Sequence, residues 1–200
     1  MGEAGRPRRP LHFGPDAMEA HGGTLPDPAE TVAAAHAAAL TVIEAGRSDA
    51  GPETTERLLR LVDDLGIDTL AQLWSGRPAR SLPGALWRMY LLREWVQRQP
   101  QAAARDYGAG MAVAPVSHVI TGVVEPPGVA EVRQLSDRIL SGVFDGDLGV
   151  ALERAAAFCR VVATGRAHLD DGDVGSASAM VTTAEDLEAG ARLWRENALI

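Results

Sequence analysis

The segment from Leu70 to Val96 holds three of the four tryptophans, Trp74, Trp87 and Trp95, and its second half constrains everything around it. Ser81 offers a side-chain acceptor for the free amides of a first helical turn, and Pro83 suits a turn where an N–H has no partner anyway. From there to Gln99, at 100° per residue, Ala85, Met89, Leu92 and Val96 form one stripe. Leu86 and Tyr90 widen the stripe on one side, Leu91 and Trp95 on the other, and Trp87 falls nearly opposite its centre. A helix apolar over so much of its circumference has to be enclosed by other elements. The pattern predicts a central Trp-rich helix over 81–99 within an all-α domain.

The rest of the chain supplies the enclosure. Residues 1–26 carry Gly, Pro and charge without periodicity and read as a disordered N-terminal arm; the helical domain is expected over 27–200. Asp27-Pro28-Ala29-Glu30 is a helix start, with a cap, a proline at the first position and an acid that can reach back. That helix is expected to run to Ala45 with Val32, His36, Ala39 and Ile43 inward, and Gly46 as its C-terminal stop. A second spans about 53–65, with Leu58, Leu61, Val62 and Leu65 inward and Gly66 closing it. A short third is capped by Asp68, packs Leu70, Leu73 and Trp74, and stops at Gly76. After Pro100 a further turn or two is expected to Tyr107.

Residues 113–124 read as either a short helix or a strand rich in β-branched residues. The helix is favoured, because no second strand offers a partner for its backbone groups. Glu125-Pro126-Pro127-Gly128 is the best internal boundary, near 125–128. Beyond it, Val129, Val132, Leu135, Ile139 and Val143 give one helical face. Asp147 caps a helix with Leu148, Leu152, Ala155, Phe158, Cys159 and Val162 inward and Gly165 as its stop. An acidic, Gly/Ser-rich loop over 166–181 then leads to a last helix, with a capping box at Thr182 and Thr183 and with Leu187, Ala191, Trp194 and Ala198 on its face. The total is seven to eight helices in one domain.

Composition narrows the classes of function. The net charge of −8 opposes a phosphate backbone, and all nineteen basic residues are arginine. Arg88, Arg93 and Arg98 lie on a helix too apolar to enter a groove, which argues against DNA binding. No apolar run approaches the roughly 20 residues of a membrane span. The single Cys159 cannot form an internal disulfide, so a cytoplasmic, reducing setting is expected.

The sharpest chemical feature is Arg77-Pro78-Ala79-Arg80-Ser81-Leu82-Pro83-Gly84. Two guanidiniums precede the free amides of a helix N-terminus, where the dipole favours an anion. Arg88 follows one turn on, and Trp74 and Trp87 are placed to floor such a site. The expected ligand-binding set is therefore Arg77, Arg80, Ser81, Gly84, Arg88, Trp74 and Trp87, for an anionic small molecule. The alternative pairs Arg77 and Arg80 with Asp63 and Asp64 as a structural clamp.

Other candidates carry less. The run His168 to Asp173 is acidic, but a calcium loop counted from Asp170 or Asp171 reaches Val181 or Thr182 where a glutamate is needed. His36 has no second ligand at helical spacing, and the neighbours Ser117 and His118 have no nucleophile elbow around them. Cys159 sits among Ala and Phe as packing. No metal, cofactor or catalytic residue is indicated, and whether the chain is an enzyme stays open. The apolar end Ala198-Leu199-Ile200, without a glycine, proline or basic stop, points to a covered helix tip. The leading expectation is therefore action by protein–protein interaction, as a homodimer or a regulatory partner.

Finally, the runs Leu73 to Arg88 and Ala155 to Val162 resemble a family of small all-helical proteins of GC-rich bacteria that has no assigned activity. The likeness spans most of the chain from about residue 28. It implies a helical fold and carries over no catalytic residue.

Overall fold

The computed structural model describes residues 27–48, 51–113, 127–169 and 172–199, which form a single all-α domain. The expected arm over 1–26 lies outside them, as does segment 113–124 from residue 114 onward. In chain order the helices are α1 (Pro28–Ser48), α2 (Pro52–Leu59), α3 (Leu61–Leu65), α4 (Ile67–Trp74), α5 (Leu82–Arg98), α6 (Pro100–Met111), α7 (Val129–Asp145), α8 (Leu148–His168) and α9 (Val174–Arg195). No strand occurs among the described residues.

The Trp-rich helix forms where its caps put it. Ser81 is extended (φ −121°, ψ 161°), and its hydroxyl accepts the Gly84 N–H at 3.2 Å. The helix yields at Gln99 because the residue before a proline is pushed out of the α region. As α5 it packs against α1, α4, α6, α7, α8 and α9, and Ala85, Leu86, Met89, Tyr90, Leu92 and Val96 are all buried. Two positions depart from the periodicity. Trp87, on the side opposite the stripe, is only 9% exposed, and Leu91 is 39% exposed. Helices therefore cover α5 on the side the pattern left open, and leave a gap at Leu91.

A second axis shares the core. Thirteen of the 21 residues of α8 are buried, and it lies against α9, α6, α7 and α5. Asp147 caps it as expected, accepting the Val150 N–H at 3.0 Å. Its glycine does not stop it. The helix runs through Gly165 to His168, because Gly165 is a crossing point. A Cβ there would stand 2.8 Å from both the Asp106 carbonyl carbon and the Gly110 nitrogen of α6. Gly46 is likewise no C-cap. It lies inside α1, where a Cβ would meet the Phe144 ring carbon at 3.0 Å, so its lack of a side chain lets α1 approach α7.

Other expected boundaries move for identifiable reasons. The helix expected over 53–65 breaks at Arg60, beside the point where the buried Tyr90 hydroxyl donates to the Leu58 carbonyl at 2.9 Å. That carbonyl is the acceptor an unbroken helix would give to Val62. Gly66 does close α3, with φ 83°, and α4 starts directly after it at Ile67, so Asp68 is a first-turn acid and not a cap. Val32, Leu65, Leu73 and Val129, expected inward, are exposed. The loop expected over 166–181 is mostly helix. Asp173 caps α9 by accepting the Gly175 and Ser176 amides, so Thr182 and Thr183 lie mid-helix and form no capping box.

The C-terminus is resolved locally. Asn197 adopts φ 54°, its N–H reaches the Trp194 carbonyl, and the Ala198 N–H reaches that of Leu193 at 2.8 Å. This is a Schellman stop with asparagine in the glycine place, so Ala198 lies beyond the helix. It folds Leu199 (7% exposed) back into the chain's own core.

Candidate functional site

Ser81, Gly84, Arg80 and Arg88 of the expected anion site lie at the start of α5, but their polar groups already have partners within the fold. The Ser81 hydroxyl caps the helix and donates to the Pro78 carbonyl at 2.7 Å. Gly84 is pressed on that linker, since a Cβ there would lie 2.9 Å from the Pro78 carbonyl carbon. Arg80 and Arg88 converge on one carboxylate, Asp186 of α9, at 3.6 and 3.3 Å. Arg88 also donates to the Gly84 carbonyl at 3.1 Å. The acid is neither Asp63 nor Asp64; Asp63 faces Arg93, which bonds Asp137 at 2.6 Å. Trp74 floors nothing. Its indole N–H donates to the Ala35 carbonyl at 3.1 Å, and its ring stacks on Tyr90, 6.1 Å between centroids. Arg77 contributes a buried Nε without a partner.

The concave feature that does face water lies one turn further along α5. Arg88, Leu91, Leu92 and Trp95 form one wall, Met180 and Thr183 of α9 the other, around a cleft of about 160 Å³. Its lining is almost wholly apolar, with Arg88 the one charged residue among those that form it. The Trp95 ring also carries the Arg166 guanidinium, 4.6 Å from its centroid. Arg166 in turn bonds Asp106 at 2.8 Å and Ser176 at 2.6 Å, so one arginine joins α5, α6, α8 and α9 beside the cleft. The sequence signal was available, since Arg88, Leu91, Leu92 and Trp95 follow one another at helical spacing. The facing wall was not, because Met180 and Thr183 sat in what read as a loop and a cap.

Two larger, shallower hollows meet at Arg138, Ser141 and Asp145, between α7 and the starts of α2 and α8. Their charges are mixed: Asp145 and Asp147 stand with Arg138 and Arg154. Among the described residues no cluster of His, Cys, Asp and Glu has the geometry to hold a metal, and no helix is long and apolar enough to cross a membrane. Cys159 is fully buried, and burial pushes its thiol up to about 12, so the thiolate that would act as nucleophile is not formed near neutral pH.

α9 is clamped to α8 by a two-pronged bond from Arg160 to Glu188, 2.7 Å on each arm. This bond, ahead of the opposing desolvation, holds the Glu188 carboxyl below its usual range. The clamp is fully present above the carboxyl's unfolded pKa and is lost as pH falls through the lowered native value. Thermal unfolding followed from pH 7 to 3 is expected to show Tm falling on the acid side. Glu188→Gln is expected to lower Tm near pH 7 and to make that acid fall shallower; an unchanged slope would separate the clamp from acid stability.

Fold and site thus define an all-helical domain with a water-facing apolar cleft between two long helices. Comparison with family models, with curated proteins and with solved structures gives no match.

Proposed function

We propose that the protein acts by protein–protein contact through the α5–α9 cleft, and that a second copy of the chain is the partner. The observation that carries this is the juxtaposition of Leu91, the large apolar side chain on α5 that faces water, with an apolar hole of about 160 Å³ at its foot. A two-fold pair needs a single patch bearing both a knob and the hole for it. A cleft of this size suits one apolar anchor, well short of the roughly 300 Å³ at which small-molecule sites begin. The C-terminal tip gives no support to this reading, since Leu199 is covered by its own chain. The single buried thiol agrees with a reducing, cytoplasmic setting. An anionic ligand at Arg80 and Arg88 is the weaker reading, because it would have to displace Asp186.

Sedimentation velocity across the micromolar range is expected to show a dimer that Leu91→Glu converts to monomer. Helicity should be unchanged, because the side chain faces water. A monomer throughout, or a Leu91→Glu dimer of unaltered affinity, would refute the assignment.

A further inference from the structure

Helix α9 is 22 residues long, but only its second half is embedded. Between Val174 and Val181, Ala177 alone is buried, whereas Ala184, Leu187, Ala189, Gly190 and Ala191 are buried further on. The halves meet at Val181-Thr182-Thr183, three β-branched residues in succession, which disfavour helix. Both threonines also turn their hydroxyls back on the helix, bonding the carbonyls of Ser178 (3.2 Å) and Ala179 (3.0 Å). Such back-bonding weakens and bends helices. The first half is tied to the body through Arg166, which bonds Ser176 on it and Asp106 on α6. Met180, on the same half, forms part of the cleft wall opposite Trp95.

We propose that residues 174–181 are a latched lid on the cleft, opening by local unfolding about Val181–Thr183 and held shut by Arg166. Of this half only Ala177 is fully buried and Met180 is packed against the core in part, so its opening is less costly than global unfolding. The second half stays in place through Leu187 and the Arg160–Glu188 clamp. Opening removes the Met180 wall and uncovers Trp95, which turns a hole for one side chain into a longer trough. The device does not depend on which molecule enters the cleft.

Hydrogen exchange read by mass spectrometry on the full chain tests it without a ligand. Amides of 174–181 are expected to exchange at least a hundredfold faster than those of 184–194. Ser176→Ala removes the latch bond while leaving Arg166 on Asp106. It is expected to speed exchange in 174–181 about tenfold more and to leave 184–194 unchanged. Thr182→Ala with Thr183→Ala strengthens the joint and is expected to slow exchange in 174–181. A common rate along α9, equal acceleration of both halves by Ser176→Ala, or no slowing in the double variant would each overturn the lid.

Discussion

Gly165→Ala is expected to lower stability by about 3 kcal/mol, although alanine in a helix interior is intrinsically favoured over glycine by about 1 kcal/mol. The reason lies in the crossing of α6 and α8. Their backbones touch, so the added methyl would press on the Asp106 carbonyl and the Gly110 amide, and neither can rotate away as a side chain would. The contact is reciprocal, since a Cβ on Gly110 would stand 2.7 Å from the Val161 carbonyl carbon. Relief requires the two helices to separate, which strips dispersion contacts from Tyr107 and Phe158, stacked 5.1 Å apart across the same crossing. Urea unfolding should register the loss, with Tm falling by roughly 6–12 °C for a domain of this size. Because one separation of the helices relieves both clashes, Gly110→Ala combined with Gly165→Ala should cost less than the sum of the singles. A rise in Tm for Gly165→Ala would mean that propensity alone governs the site, and that the helices do not meet there.

The second large effect belongs to Asp106, which is 3% exposed and bonds Arg166 at 2.8 Å, with Arg105 at 3.3 Å on its other oxygen. Asp106→Ala leaves the mostly buried Arg166 charge without its carboxylate and is expected to cost about 3 kcal/mol. Replacing both partners by apolar groups of similar volume removes the unpaired charge. Asp106→Leu with Arg166→Met should therefore recover most of the loss, which equilibrium denaturation of the singles and the double would read directly. A double variant as unstable as Asp106→Ala would mean that packing around the pair, not its charge balance, sets the cost. The same double variant cuts the bond to Ser176, so it should also loosen residues 174–181 even where global stability is restored.

These two sites show what kind of information a chain of this composition hides. Gly46 and Gly165 each follow an apolar stripe and precede an arginine, which is the local signature of a helix end. In the fold both are places where another helix comes too close for a Cβ. The local pattern is the same in either case, and only the neighbour distinguishes them. The arginines behaved similarly. That Arg80 and Arg88 gather at the start of α5 was legible, since Arg80 adjoins Ser81 and Arg88 follows it by about two turns. Their partner, Asp186, is about a hundred residues away in sequence, and nothing local points to it. The apolar cleft was half legible, because its α5 wall is periodic, whereas its α9 wall lay in a stretch whose Gly, Ser and Thr content reads as loop.

The chain by itself determined its class and its principal rods. The caps Asp27, Ser81 and Asp147, and the stripes over Ala85–Val96 and Leu148–Val162, act within one or two turns, and their hydrogen bonds and burial periodicity are fixed by residues three or four apart. Only the tertiary structure decided where those rods cross, which glycines serve as contacts, which carboxylate answers each guanidinium, and which apolar side chain is left facing water. Those outcomes depend on pairs far apart in sequence, and a local pattern holds no record of the distance between them.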